Sequence, residues 1–284
     1  MKIAITGSSG LIGTALCEAI MQRGDVPIRI VRSNPGPDDL VWDIEAGTID
    51  SQRLDGVDAV VHLAGEGIGE RKWTPDQKAK ITESRRLGTS LIAETLAKLT
   101  KKPALFVSGS AIGFYGDRGE EELTEKSSAG AGFLADVAKV WEAAAQPALD
   151  AGIRTAFIRT GVVLSSTGGA LKEQLPFFKM GVGGRIGDGE QYWSWISITD
   201  QVNAILHIID SKLSGPINLT APNPATNREF TKALGKALGR PAFLPTPKFA
   251  VDLRLGKEAA NELLFYSARV IPAVLADSGF IFTH

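Results

Sequence analysis

The feature that most constrains this chain is a glycine-rich turn near its N-terminus, residues 6–13, with the sequence TGSSGLIG. A short apolar run precedes the turn, and apolar residues recur at helical spacing after it, which predicts a strand, a tight turn and a helix. Gly7 permits the turn, Gly10 lets the backbone approach a pyrophosphate, and Gly13 lets the helix pack closely on the strand. The turn therefore predicts dinucleotide binding.

The spacing of this turn, G-x-x-G-x-x-G, differs from the better-known G-x-G-x-x-G, so an ordinary strand-to-helix turn is the alternative. A second apolar run over 26–31 follows at the distance expected of a βαβ unit. Predicted strands and helices then alternate as far as residue 165. This alternation predicts an α/β fold, a Rossmann-type doubly wound parallel sheet.

The composition changes after residue 165, where glycines interrupt the chain and an aromatic cluster follows. We therefore predict two unequal parts. Residues 1–165 form a dinucleotide-binding Rossmann domain, to which a strand and a helix near 198–220 return. Residues 166–197 and 221–284 form a smaller substrate lobe and a C-terminal cap.

The overall composition narrows the function classes. Lys and Arg number 31 against 32 Asp and Glu, without a basic block, which argues against nucleic acid as a partner. The single cysteine, Cys17, cannot form an internal disulfide, which indicates a reducing compartment. No apolar run reaches the roughly 18 residues of a membrane span. We expect a cytoplasmic protein that binds a small molecule, without a membrane or a metal ion.

Arg32 follows the second predicted strand, at the place where NAD-dependent folds carry an acid on the ribose 2′-hydroxyl. A cation there can pair with a 2′-phosphate, and the nearest acids, Asp38 and Asp39, come only after a proline-rich turn. The position thus favours NADP(H) over NAD(H). The alternative is a solvated surface arginine.

Two further strand ends supply candidate site residues. The run over 58–65 ends in Leu63, Ala64 and Gly65, small or apolar residues that suit a close approach of cofactor; within it His62 has a structural role rather than a catalytic one. The next strand, over 104–110, ends in Ser108 and Ser110, and a glycine-broken loop with Tyr115 follows. Carboxyl ends of parallel strands face the ligand crevice, so these side chains are candidates for the site.

The substrate lobe offers its own candidates. Arg185 lies among Gly183, Gly184 and Gly187, which together present a cation and backbone N–H groups to an anion. Trp195 offers a flat apolar face to a substrate. Core packing of the lobe is the alternative for its tryptophans.

These residues together resemble the extended short-chain dehydrogenase/reductase family, the nucleotide-sugar epimerase and dehydratase group, and within it an "epimerase family" branch of nucleoside-diphosphate-sugar epimerase-like proteins. The resemblance covers nearly the full chain. It rests on the glycine turn, on HLAG at 62–65, on SGS at 108–110 with Tyr115 and Gly116, and on Gly187, Gly189, Trp195 and Asp200.

The resemblance implies an NADP(H) site that agrees with the residues above. Arg85, on a helix predicted from Pro75 to Lys101, is expected near the cofactor, with solvation as the alternative. The full set of expected cofactor contacts is Gly7, Gly10, Leu11, Ile12, Gly13, Arg32, Leu63, Ala64, Gly65, Arg85, Ser108 and Val162. The resemblance also implies a nucleotide sugar as a candidate substrate and pairing of two copies through helices predicted at 76–100 and 133–149.

The acid–base pair of the wider family, Tyr-x-x-x-Lys, is absent from this sequence. The residues four positions after the three tyrosines are Gly119, Ile196 and Val270, and on the expected helix Lys139 is present but Ala135 takes the tyrosine's place. Ser110 would then orient the reacting oxygen, and Tyr115 or a bound water would move the proton. The rival hypothesis is an NADP(H)-binding sensor without turnover, and packing is the alternative for Tyr115.

Overall fold

The computed structural model describes residues 1–249 and 251–284 of the chain. The strands are β1 Lys2–Thr6, β2 Val26–Val31, β3 Leu40–Asp43, β4 Thr48–Ile49, β5 Ala59–His62, β6 Leu105–Ala111, β7 Glu122–Leu123, β8 Arg154–Thr160, β9 Val162–Leu164, β10 Tyr192–Trp193, β11 Trp195–Ser197, β12 Gly215–Leu219, β13 Ala225–Thr226 and β14 Arg269–Val270. The α-helices are α1 Leu11–Gln22, α2 Pro75–Lys98, α3 Phe133–Ala143, α4 Gln146–Asp150, α5 Gly169–Lys179, α6 Ile198–Asp210, α7 Asn227–Leu238, α8 Lys248–Leu255, α9 Lys257–Ala260 and α10 Ala273–Asp277. A 3-10 turn covers Ile112–Tyr115 and a π-helical turn covers Asn261–Phe265.

The centre of the molecule is an eight-stranded sheet in the order β12-β8-β6-β5-β1-β2-β3-β4. Its pairs are parallel except for β3 with β4. The order reverses between β1 and β5, and this reversal is the topological switch point at which doubly wound sheets bind ligands. The predicted Rossmann-type α/β fold is confirmed by this topology.

Two apolar cores lie on opposite faces of the sheet. One core joins the sheet to α1 and α6, and includes Ile5, Leu16 and Ile205. The other joins it to α2 and α4, and includes Phe106 and Ile92. Every residue of β5 is buried, because helices cover the sheet on both faces.

Helix ends follow the local sequence closely in some places and depart from the prediction in others. α2 begins at Pro75, and the Thr74 hydroxyl accepts a hydrogen bond from the Gln77 N–H at 3.2 Å. The helix predicted over 133–149 is instead two helices, α3 and α4. Pro147 lies in the first turn of α4, where its missing N–H is tolerated, whereas inside a continuous helix it would break a hydrogen bond.

The prediction missed the short strands β3 and β4 and the helix α5. Two small two-stranded sheets, β11 with β9 and β14 with β7, connect the chain beyond residue 165 to the loops above the main sheet. A third, β10 with β13, joins two segments that both lie beyond residue 165. Through β14 the segment around Ser267 runs beside the loop that follows β6. The lobe therefore forms the far wall of the cavity described next. The division into two parts remains a prediction.

Candidate functional site

A cavity of about 1180 Å³ opens at the carboxyl ends of β1, β5, β6 and β8. Its walls are the glycine turn, the loop after β5, one face of α3, and the lobe formed by α5, α8 and the π-helical turn. Among the predicted site residues, those on the cavity wall are Gly7, Gly10, Leu11, Ile12, Gly13, Leu63, Arg85 and Val162.

The three glycines of the turn differ in what surrounds them. Gly7 has φ of +67°, and an added Cβ would lie 2.9 Å from the Ala64 nitrogen. A Cβ on Gly13 would lie 2.2 Å from the Gly7 carbonyl oxygen. Gly10 has an ordinary φ of −79°, and its Cβ would meet only that same oxygen, at 3.3 Å. The chain itself therefore requires Gly7 and Gly13, whereas Gly10 leaves room on the cavity side.

Thr6 and His62 hold the loop after β5 against the glycine turn. The two residues are register partners on β1 and β5. The Thr6 hydroxyl accepts hydrogen bonds from the N–H groups of Leu63 and Ala64, at 3.1 and 3.2 Å, so its proton goes to Nδ1 of His62 at 2.7 Å. Burial lowers the pKa of His62 to about 3, so this ring is neutral at pH 7. The structural role predicted for His62 agrees with this geometry.

Arg85 places a cation on the cavity wall beneath the loop after β5. Its guanidinium donates to the Glu66 carbonyl at 2.9 Å and lies 4.8 Å from the ring centre of Trp141. Burial lowers the pKa of Arg85 to about 10, with the charge of Glu66 opposing the shift. A Cβ on Gly65 would lie 3.2 Å from the Arg85 Cζ, so the absent side chain gives the arginine its place. The alternative of a solvated Arg85 does not match this position.

Arg32 lies outside the cavity wall, exposed just beyond the end of β2. No carboxylate of the described residues forms a salt bridge with it. The nearby acid Asp39 is instead paired with Arg29, whose Nε donates to it at 2.8 Å. That hydrogen bond is the main reason why the pKa of Asp39 is lowered. Arg32 is thus a cation available to a ligand that extends along the carboxyl end of β2.

Ser110 and Tyr115 belong to one buried network rather than to the cavity wall. Ser110 donates to Glu142 at 2.7 Å, and Glu142 forms an ion pair with Arg159, the register partner of Ser110 on β8. Arg159 also donates to the Tyr115 hydroxyl at 3.1 Å, and that hydroxyl donates to Asn218 at 2.7 Å.

The same network fixes the ionisation of its members. Burial raises the pKa of Tyr115, and Arg159 opposes the rise only in part. Burial works against the charge of Arg159, but the hydrogen bonds and charge of Glu142 leave its pKa raised. The catalytic roles of Ser110 and Tyr115 remain predictions, and the geometry favours positioning: the network anchors the loop 111–116, whose residues Ile112 and Gly113 line the cavity.

Ser108 is likewise buried, and its hydroxyl donates to its neighbour's carbonyl at 3.4 Å. It alternates with Val107 along β6 and so points toward the α2 face of the sheet, with Phe106. Ala64 and Gly65 are close to the cavity, in the loop that Thr6 holds, without being on its wall.

The helix on which the family's Tyr-x-x-x-Lys pair was sought presents an apolar face to the cavity. That face consists of Leu134, Val137, Ala138 and Trp141. Lys139 is exposed and paired with Asp136 at 2.7 Å. The hydroxyl groups that do belong to wall residues are those of Thr160, Tyr192, Ser194, Thr246 and Tyr266.

Arg185 and Trp195 are not brought together with the cavity. Arg185 is exposed and is not on the cavity wall, although Gly183 and Gly184 beside it are. These glycines are also packed against the protein, since a Cβ on Gly183 would lie 2.5 Å from the Phe178 ring and one on Gly184 would lie 1.7 Å from the Leu244 carbonyl oxygen. Trp195 borders a separate apolar cavity of about 380 Å³ between α5 and α7. Substrate binding by either residue remains a prediction that this placement does not favour.

Sequence reasoning missed the α3 face, the Glu142–Arg159 pair and the carboxylate of Glu262. Leu134, Ala138 and Trp141 follow helical spacing, which indicates one apolar face but not what that face borders. Glu262 accepts the N–H groups of Phe133 and Leu134, both at 2.8 Å, from 128 or more positions away in sequence. Local pattern carries no signal for a contact of that kind.

Two structural features concern a metal ion and a membrane as partners. Within residues 1–249 and 251–284, no three His, Cys, Asp or Glu side chains are grouped so as to hold a metal ion. None of the helices in that same part of the chain combines the length and the apolar character needed to cross a membrane.

Comparison with known proteins gives a consistent result. Residues 3–219 match the model of the NAD dependent epimerase/dehydratase family, and residues 246–284 match a domain of unknown function, DUF1731. "Epimerase family protein ML0860" of Mycobacterium leprae is 43% identical over 99% of this chain and 92% of its own length.

Two solved structures are similar in both sequence and fold. The crystal structure of human epimerase family protein SDR39U1 (isoform 2) with NADPH has a TM-score of 0.93 and 34% identity, covering 100% of this chain and 95% of that one. A nucleoside-diphosphate sugar epimerase from Corynebacterium glutamicum has a TM-score of 0.81 and 41% identity, and this chain covers 56% of it. This chain belongs to the NAD dependent epimerase/dehydratase family.

Proposed function

We propose that the protein is an NADP(H)-dependent enzyme that acts on a small molecule held between the Rossmann sheet and the lobe. The observation that carries this proposal is the position of Gly10. It lies at the start of α1, with no contact that requires a glycine, and it faces a cavity that continues past α3 into the lobe. Because the packing of the protein does not require a glycine at this position, we explain the absence of a side chain by the space that a ligand needs.

The residues around Gly10 suit a dinucleotide phosphate. The first turn of α1 carries N–H groups without carbonyl partners inside the helix, and Leu11, Ile12 and Gly13 line the cavity there. Arg85 adds a positive charge on the opposite side. The bound NADPH of human SDR39U1 supports the same choice of cofactor for this chain.

Arg32 is the residue that we propose for the 2′-phosphate. It is exposed at the end of β2, and Asp39, the buried acid nearby, is already neutralised by Arg29. A ribose with a free 2′-hydroxyl would find no carboxylate from Asp39, whereas a 2′-phosphate would meet the Arg32 guanidinium.

The cofactor, when bound, supplies hydride transfer at its nicotinamide ring, and the chain supplies position and protons. We propose that the network of Ser110, Glu142, Arg159 and Tyr115 fixes the loop 111–116 against the reacting molecule. The proton would then pass through a water or through a wall hydroxyl such as that of Tyr266. The family resemblance implies a small polar substrate, with a nucleotide sugar among the candidates.

The experiment is calorimetric titration of the protein with NADPH and with NADH. We expect tighter binding of NADPH, and we expect Arg32→Ala to weaken NADPH by about tenfold, the loss of one charge-assisted contact, with NADH almost unchanged. Arg228→Ala is the matched control, since Arg228 is also an exposed arginine but lies on α7. Equal losses for both cofactors would refute the 2′-phosphate assignment, and no binding of either would refute the proposal.

A sensor that binds NADP(H) without turnover is the second candidate. The apolar α3 face favours it, because the helix offers no hydroxyl or amine among Leu134, Val137, Ala138 and Trp141. Incubation of the NADPH-loaded protein with a metabolite extract, followed by mass spectrometry, distinguishes the two. A chemically altered product supports the enzyme, and cofactor binding with no altered product supports the sensor.

A further inference from the structure

We infer that the second ligand of this cavity is a largely apolar, uncharged small molecule, and not a nucleoside diphosphate sugar. This inference deepens the function proposed above and rests on it. It follows from the substrate half of the cavity, which we define as the wall formed by α3, α5, α8 and the π-helical turn.

In the substrate half, the N-terminus of α3 is not available as an anion site, because a carboxylate already occupies it. Helix α3 begins at Phe133 beside the cavity, and its first free N–H groups would suit a diphosphate. Both oxygens of Glu262 already accept these N–H groups, from Phe133 and from Leu134, at 2.8 Å. Gly132 leaves room for that carboxylate, since a Cβ there would lie 3.0 Å from Glu262 Oε1. A phosphate would have to displace a charged cap.

The cations near the substrate half are also compensated or displaced. Arg254 on α8 donates to Glu173 on α5 at 3.1 Å, and both residues line the cavity. Arg71 is also on the cavity wall, but it belongs to the exposed loop after β5 and not to the substrate half. Arg185 is outside the cavity. A diphosphate carries two negative charges, and burying it without a dedicated cation is strongly unfavourable.

Apart from Gln174, the remaining wall of the substrate half is apolar and reaches the surface. Leu263 and Leu264 of the π-helical turn line the same cavity as Val137 and Trp141 of α3. Phe177 and Val182 are also on its wall, with 47% and 49% of their surfaces exposed. Exposed apolar residues that continue into an apolar cavity mark a route for an apolar ligand. At about 1180 Å³, the cavity exceeds the roughly 300–1,000 Å³ that one ligand fills, so a second molecule fits beside the cofactor.

The test uses the NADPH-loaded protein and N-phenyl-1-naphthylamine, a neutral apolar dye whose fluorescence rises on binding. We expect saturable binding at one site, with no displacement by millimolar UDP-glucose. Leu263→Glu should weaken the dye by about tenfold or more, because a carboxylate then faces the apolar ligand. Leu253→Glu is the matched control: it makes the same change one position before Arg254, where the side chain is 75% exposed and is not on the cavity wall.

Each outcome has one meaning. Phe177→Glu repeats the test at a half-exposed wall position, in case Leu263→Glu does not fold. Binding of UDP-glucose that displaces the dye would overturn the inference, as would dye binding that both wall variants leave unchanged, or no dye binding at all. Failure of the protein to bind NADPH, measured first by calorimetry, would instead overturn the function proposed above.

Discussion

Two stretches of this chain, residues 6–13 and 181–189, are both rich in glycine, but their glycines have different surroundings in the folded protein. In the first, Gly10 faces a cavity, and an added Cβ there would meet only the Gly7 carbonyl oxygen, at 3.3 Å. In the second, Gly184 faces the Leu244 carbonyl oxygen, which a Cβ would approach to 1.7 Å. A glycine can therefore make room for a ligand or for the protein's own backbone, and only the surroundings distinguish the two.

The sharpest test of this comparison is Gly10→Val. The φ of −79° suits any residue, and the Gly7 oxygen, 3.3 Å from an added Cβ, need move only slightly, so we expect the variant to stay folded with a small fall in melting temperature. The valine would occupy the pyrophosphate position, and NADPH affinity should fall by about a hundredfold or more, which corresponds to ~2.7 kcal/mol. Calorimetry measures it, with Gly10→Ala as the graded control. An unaltered NADPH affinity would show that this turn does not hold the pyrophosphate.

Gly184→Ala tests the second stretch, with the opposite signature. The new methyl group would collide with the Leu244 carbonyl, so we expect a loss of about 2–3 kcal/mol in the free energy of unfolding, as for an overpacked core. NADPH affinity of the folded protein should not change. Urea denaturation measures the loss, and a variant as stable as the parent would mean that the Leu244 segment yields easily.

The hydrogen bond between Thr6 and His62, which holds the loop after β5 against the first glycine-rich stretch, should be sensitive to acid. His62 has a pKa of about 3 when folded and about 6.5 when unfolded, so below pH 6.5 the unfolded chain takes up a proton that the folded chain does not. The contribution of the neutral, buried His62 to the free energy of unfolding is therefore fully present above pH 6.5. It falls as the pH decreases toward 3, by about 1.4 kcal/mol per pH unit.

The measurement is the free energy of unfolding at several pH values between 6.5 and 5. His62→Asn should remove most of this slope, because an amide oxygen can still accept the Thr6 hydroxyl but does not titrate in this range. His207→Gln serves as the control and should keep the slope. If both variants retain the parent's slope, the pH dependence arises elsewhere.

Arg185→Ala should have the smallest effect of the series. The side chain is exposed and is not on the cavity wall, so we expect stability to change by less than about 0.5 kcal/mol and NADPH affinity to stay constant. Thermal unfolding and calorimetry check both. A large loss of ligand binding would restore Arg185 as the substrate cation and would remove the contrast between the two glycine stretches.

The sequence predicted the Rossmann sheet and the glycine turn because both depend on short-range spacing. Apolar runs, the glycine positions and Pro75 act within a few residues, where strand and helix geometry are fixed. The prediction of one continuous helix over 133–149 was wrong, because Pro147 cannot donate a helical hydrogen bond and lies instead in the first turn of a separate helix, α4.

The site was less predictable because side-chain direction depends on distant partners. Tyr115 looked available on its glycine-broken loop, but Asn218, 103 positions away, and Arg159 hold its hydroxyl in the interior. The sequence left two alternatives for Arg85, a position near the cofactor and a solvated position. The contacts of its guanidinium with the Trp141 ring and the Glu66 carbonyl hold it on the cavity wall.

By itself, then, the sequence determined the alternation of the main parallel strands with helices, the turn that starts α1 and the cation at the end of β2. These are local properties of the chain. The tertiary structure alone decided that α3 turns an apolar face to the cavity, that Glu262 caps this helix, and that Arg185 lies outside. The physical reason is that charge compensation and burial are set by residues far apart in sequence, which only the folded chain brings together.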